Sequence, residues 1–392
     1  MPEMDINHKN RVGVGCRLAT PLDLAKYNDA KNSLDQFLAL FPIPTIGMHE
    51  RLFFVAFDGA ENCELLGPEY ASNVGKIHDQ MSRARSLALD HVVPHYVEAA
   101  VTRRRWLKGG HDIVRGSSYE STVKTAYNAL VSQANRWIRD DPDAVIRVHS
   151  LGFGRGACHI PGFANLLHVL GIPDLPSKIV ADDGTVTYAR NLVDPGQVVQ
   201  TVALLDPVGV AIPADADRSM PPSVVSGVQI TAADEFRVSF ASERLISPGQ
   251  SEDGRFLNLR VPGAHSDIGG GYLRDGIAIR CGNLMRDYFN SLWHEPLLGK
   301  EHVPVNRYLN VVHRSTDGYV RLSTVEGLRW TFESIEAGYS KSFLALAVII
   351  CLAINICLGI NFRSMPYLAV LLGSLAAGVV GFRRSNYRLD YK

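Results

Sequence analysis

Three segments of the chain carry residue types suited to acyl-transfer chemistry. Gly152-Phe153-Gly154-Arg155-Gly156-Ala157 has the G-x-S-x-G frame, in which a tight strand-to-helix turn presents a nucleophile and small flanking residues let the turn close. Asp206 ends an apolar run, and His265 stands in a glycine-rich loop. Nucleophile, then acid, then histidine is the chain order of one class of Ser–Asp–His hydrolases. In that chemistry the acid fixes the imidazole tautomer and the imidazole takes the nucleophile's proton. The backbone N–H of Arg155 is placed to bind an oxyanion, and Gly59 or Ala60 could supply a second donor. The nucleophile position itself holds Gly154, which cannot attack anything. That glycine marks an engineered or a natural loss. Ser150, in the run VHSLG, is the alternative nucleophile, but it precedes the turn and would point along a strand. A G-x-G-x-G loop also suits a phosphate. Here it lies far from the chain start, with no acidic strand end about 20 residues on, so a nucleotide fold is the weaker reading.

Other reactive side chains read as structural. His149 and His159 flank the turn. Asp58 shapes either the site or its own turn. Asp267 shapes the histidine loop by hydrogen bonds rather than holding a metal. The six cysteines show no C-x-x-C pairing, so neither a zinc site nor a disulfide framework is expected. No cofactor and no metal are implied.

These residues need strand ends to stand on. Arg51 to Phe57, RLFFVAF, is a continuous apolar run ending at Asp58-Gly59, as a strand covered on both faces should be. Tyr70 to about Ala100 reads as largely helical. Tyr119 to Arg139 is an amphipathic helix with Val123, Ala126, Tyr127, Leu130, Ala134, Trp137 and Ile138 on one face. Ala144 to Leu151, Val198 to Leu205 and Leu257 to Val261 are further strands. A helix follows the glycine turn to about Leu170, where Pro161 should kink it, and Ile277 to Trp293 is another. Strands ending in polar loops and separated by helices predict a doubly wound α/β sheet with its site at the carboxyl ends of the strands. Residues 1–48 form a helical leader, whose helix over Pro21 to Leu40 should pack on the main domain.

Composition adds the setting. Lys+Arg and Asp+Glu both number 40, giving zero net charge, which argues against a nucleic-acid partner. Mean hydropathy is +0.01, and the apolar excess lies at the C-terminus. Phe343 to Ile360 and Pro366 to Phe382 are uncharged. Each run would span roughly 26–27 Å as a helix, close to a hydrocarbon core of about 30 Å. The short link Asn361 to Met365 predicts a transmembrane helical hairpin over 341–384, with a basic tail at 385–392. Lys341 before it and Arg383, Arg384, Arg388 and Lys392 after it place both ends on the cytoplasmic side. No secretory signal opens the chain. The cluster Arg103 to Lys108, RRRWLK, is either a solvated loop or a contact for anionic headgroups.

The motifs together resemble a known family. GFGRGA is similar to the GFSRGA elbow of the secreted bacterial phospholipase effectors of type VI and type IV secretion systems. FDGAEN (Phe57 to Asn62) resembles that family's FDGTGN, LLDPVG (Leu204 to Gly209) its acid motif, and PGAHSDIGGGY (Pro262 to Tyr272) its histidine loop. The resemblance runs from about Arg51 to Leu297. It implies an α/β hydrolase over 49–335 that cleaves phospholipid acyl esters as an antibacterial toxin. It also implies delivery by a dedicated secretion system, an adaptor or chaperone, and an immunity partner. Carried over, the triad positions are Gly154 (serine in the family), Asp206 and His265. The glycine leaves open a non-catalytic, membrane-associated binding protein or decoy.

Overall fold

The computed structural model describes residues 14–40, 49–59, 71–86, 91–98, 117–210, 212–237, 240–293 and 296–316. The chain divides into two units, Met1–Thr331 and Phe332–Lys392, and every described residue belongs to the first. Elements run in order as β1 (Cys16–Leu18), α1 (Pro21–Leu40), β2 (Glu50–Asp58), α2 (Asn73–Ser86), β3 (Val92–Glu98), α3 (Ser117–Asp140), β4 (Val145–Phe153) and α4 (Ile160–Leu170). Next come β5 (Ile172–Pro173), β6 (Lys178–Val180), β7 (Val186–Tyr188), β8 (Asn191–Val193), β9 (Val199–Leu205) and β10 (Val224–Ala232). The last are β11 (Gly249–Gln250), β12 (Phe256–Val261), α5 (His265–Gly269), α6 (Gly276–Asn290) and β13 (Val311–His313).

The core is a seven-stranded sheet in the order β11-β12-β10-β9-β4-β2-β3. All neighbours run parallel except the edge strand β11. Period-two alternation along β2 explains why its run is apolar throughout. Leu52, Phe54 and Ala56 face a cluster with Leu34 and Phe37 of α1, Ile77 and Met81 of α2, and Met285 and Phe289 of α6. Phe53, Val55 and Phe57 face the other cluster, with Leu130 of α3 and Phe163 of α4. Helices therefore cover both faces, the arrangement that parallel sheets require. Strand order reverses at β2, which has β3 on one side and β4 on the other. Crevices beyond the carboxyl ends of strands at such a reversal are where α/β sheets bind ligands.

The structure corrects the sequence reading in several places. The stretch read as one helix from Tyr70 splits into α2 and β3. β3 contains Pro94, which has no ladder N–H and is tolerated because β3 pairs only with β2 at the sheet edge. β10 was not anticipated. Its Gly227 breaks the apolar run, and a Cβ there would meet Val202 Cγ2 at 2.6 Å. Pro161 does not kink a helix. A 3₁₀ turn, Ala157–His159, precedes α4, so Pro161 falls in the first helical turn, where a missing N–H costs nothing. The described part of the leader packs on the main domain, as its spacing implied. β1 pairs antiparallel with β13, and the buried Tyr27 hydroxyl donates to the Pro262 carbonyl.

No helix among the described residues is long and apolar enough to cross a membrane. The runs 343–360 and 366–382, and the basic cluster 103–108, lie outside the described residues.

Candidate active site

The three glycines of the turn after β4 have different reasons to be glycine. A Cβ on Gly152 would lie 2.6 Å from Ala157 Cα, and one on Gly156 would lie 2.2 Å from the Phe57 carbonyl oxygen. Both positions are closed by backbone. Gly154 instead has φ +56°, and its Cβ would meet only the side chain of His265, with Nε2 at 2.9 Å and Cε1 at 3.0 Å. The absent side chain at 154 thus points straight at the imidazole. The turn is tied to the end of β9. The Gly154 N–H donates to the Leu205 carbonyl at 3.0 Å, and the Val208 N–H donates to the Gly154 carbonyl at 3.1 Å.

Asp206 comes directly after β9 and is fully buried. It is the only non-glycine with positive φ among the described residues, at +37°. Such backbone costs of order 1–3 kcal/mol and persists only where surrounding contacts hold it. Its N–H donates to the Ile230 carbonyl at 2.7 Å. Oδ1 accepts from the Ala232 N–H at 3.0 Å and from Ser242 Oγ at 3.4 Å, leaving Oδ2 2.8 Å from His265 Nδ1. An ionised carboxylate only accepts, so Nδ1 carries the proton and Nε2, facing position 154, is the basic nitrogen. Phe153 stacks on the imidazole at 4.4 Å between centroids, and Phe240 meets it edge-on at 5.1 Å.

A second carboxylate lies beside the histidine backbone. The His265 N–H donates to Glu235 Oε2 at 3.2 Å, and Arg237 donates to both oxygens of Glu235 through Nε and Nη2. Burial pushes the Glu235 carboxyl up, but the Arg237 hydrogen bonds and charge outweigh it and hold it below the usual range. The glutamate is therefore a fixed anion.

The sequence-predicted residues separate clearly. Gly154, Asp206 and His265 come together at the strand ends, and Arg155 lies within the turn, directly after Gly154. Gly59 does not offer the expected oxyanion donor. Its N–H donates to Asp58 Oδ1 at 2.6 Å, while Asp58 Oδ2 accepts from Ser72 Oγ at 2.6 Å and Tyr96 Oη at 2.5 Å. Asp58 therefore ties down the end of β2. Ala60 lies outside the described residues. Ser150 is inside the sheet, opposite Val55 and Val202. It is buried, and its Oγ makes no hydrogen bond among the described residues.

His149 packs near Phe289 and Trp293. Burial, then the Arg147 charge, lowers its imidazole to about 3. His159 stacks between Phe57 and Tyr119, with Nδ1 2.8 Å from the Arg155 carbonyl. Asp267 accepts from the Ala264 N–H and from both the N–H and Nδ1 of His313. His313 was not anticipated, since nothing in VVH predicts that it would face a buried carboxylate. Among the described residues, one ligand-type cluster, His49, Asp141 and Asp143, has its donor atoms within 4.8 Å of one another. It lies at the opposite end of the sheet, where Arg51 Nη2 already sits 2.5 Å from Asp141.

No family model and no curated protein matches the chain. Among solved structures, it is similar to an uncharacterized protein from Pseudomonas aeruginosa, at 16% identity and a TM-score of 0.38, covering 75% of this chain and 52% of that one. The chain thus spans about half the length of that protein. An acetyl xylan esterase shows 14% identity and a TM-score of 0.25, covering 62% of this chain and 95% of its own. Likenesses this weak leave the mixed α/β architecture to be read from the sheet itself.

Proposed function

We propose that this protein is built as a Ser–Asp–His ester hydrolase of the phospholipase-effector kind, with glycine at the position of its nucleophile. The observation that carries this reading is the line from position 154 to His265 Nε2, through the ring to Nδ1, and on to the strained, buried Asp206. A serine at 154 would attack the ester carbonyl while His265 takes its proton and Asp206 stabilises the imidazolium. The same histidine would then return the proton to the leaving alcohol, and water would resolve the acyl-enzyme. The Arg155 N–H would serve the oxyanion. Phospholipid as substrate and export with an adaptor and an immunity partner rest on the motif resemblance, whereas the membrane anchor rests on the two uncharged C-terminal runs and their basic flanks.

As written, the chain has no attacking group and would retain only roughly 10³-fold catalysis over water from binding and oxyanion contacts. The test is Gly154→Ser, assayed by fatty-acid release from phospholipid vesicles and by fluorophosphonate labelling. The serine form should be labelled at residue 154 and gain activity by about 10³-fold or more, and His265→Ala should abolish the gain. A serine form that is no faster and takes no label overturns the hydrolase reading of this site.

Gly154 itself favours a second reading, a membrane-associated binding protein derived from the same fold. Vesicle binding by the chain as written, together with an inert Gly154→Ser form, would select it.

A further inference from the structure

The one-turn helix α5 starts at His265, and two buried carboxylates hold its start. Both are reached from a single short segment at the end of β13. Asp267, 2% exposed, uses Oδ2 to accept from the Ala264 N–H at 2.9 Å and from the His313 N–H at 2.8 Å, and Oδ1 to accept from His313 Nδ1 at 2.6 Å. The His313 ring is itself buried, and Tyr272 stacks on it at 3.9 Å between centroids. Two residues on, Ser315 Oγ donates at 2.8 Å to Oε1 of Glu235, the carboxylate whose other oxygen accepts the His265 N–H.

α5 spans only His265–Gly269. A helix that short has no stability of its own, so its tethers set the direction in which the imidazole projects. We infer that His313 and Ser315 are positioning residues for His265, acting through Asp267 and Glu235 to aim Nε2 at position 154. This rests on reading His265 as the base of the proposed reaction. A base displaced by about 1 Å can lose of order 10²-fold in rate.

The experiment has two arms with independent readouts. In the chain as written, ¹⁵N-histidine labelling would track the downfield Nδ1–H proton shared by His265 and Asp206. In the Gly154→Ser background, kcat and KM would be measured on phospholipid vesicles. His313→Leu should broaden or abolish the resonance and lower kcat roughly 10–100-fold with KM nearly unchanged. His313→Asn, whose amide can still donate to Asp267, should restore most of both. Ser315→Ala, which removes one hydrogen bond and keeps the fold if His313→Leu does not, should lower kcat several-fold. A folded His313→Leu or Ser315→Ala protein with an intact resonance and unaltered kcat overturns the inference and leaves the pair purely structural. If Gly154→Ser is inactive in every background, the hydrolase reading has failed. The resonance in the chain as written then decides the positioning question alone: lost in His313→Leu, it stands; kept, it falls.

Discussion

A Cβ on Gly156 would overlap the Phe57 carbonyl, whereas one on Gly154 would press only on an imidazole edge. The two substitutions should therefore separate in stability. Gly156→Ala forces β2 and the turn apart and should cost about 3 kcal/mol or more. Gly154→Ala adds the left-handed backbone penalty, about 1–2 kcal/mol, plus a small displacement of the ring. Urea unfolding at neutral pH would rank them, and equal losses would contradict the steric argument. His149 gives a pH prediction at the same scale. With its imidazole held near 3 in the fold, the unfolded chain takes up a proton below pH 6.5 that the native state refuses. The native state therefore loses stability as pH falls from 6.5 towards 3, by up to about 1.4 kcal/mol per pH unit from this residue. His149→Gln should flatten the pH dependence of the urea midpoint between pH 6 and 5 by close to one proton. An unaltered slope would mean that the native imidazole is already protonated.

At the scale of elements, α1 tests whether the leader is an appendage. Leu34 and Phe37 are buried in the cluster that holds Phe54 and Phe289, and α1 packs against β12 and α6. Leu34→Ala should lower the stability of the whole unit by about 2–5 kcal/mol. Circular dichroism and tryptophan fluorescence should report one coincident transition, and a separate early transition would make α1 a detachable leader. The helix over Pro21 to Leu40 was readable from its spacing, β2 from its continuous apolar run, and β4, β9 and β12 from short, mostly apolar segments that end in glycine-rich or polar loops. β3 and β10 were not readable, since an edge proline and a packed glycine dilute that signal. The site divides in the same way. Gly154, Asp206 and His265 were marked by loop chemistry at strand ends, a local property of the sequence. The Gly59 N–H turning to Asp58, the Glu235–Arg237 pair and His313 depend on tertiary approach. Asp267 and His313 meet only because β13 returns to pair with β1, and no local pattern in the sequence encodes that return.

For the whole molecule, zero net charge and a mean hydropathy of +0.01 average over unlike parts. Unit Met1–Thr331 contains both core clusters, the sheet and, among the described residues, every contact that holds His265. On the proposed membrane-anchor reading, that core does not draw its stability from the second unit. The two uncharged runs lie in that second unit, bordered by Lys341, Arg383 and Arg384; in the proposed anchor such basic residues would stay at the interface while the apolar runs enter lipid. A chain ended at Thr331 should keep the urea midpoint of the intact protein and lose flotation with phospholipid vesicles, which the intact chain should show. If the shortened chain still floats, membrane affinity belongs to the α/β unit, and neutralising Arg103, Arg104 and Arg105 should then remove it at low salt, since attraction to anionic headgroups decays within about a Debye length. If the intact chain does not float, the apolar runs pack against protein rather than lipid. Their deletion should then lower the urea midpoint, because apolar surface buried on folding would be lost with them.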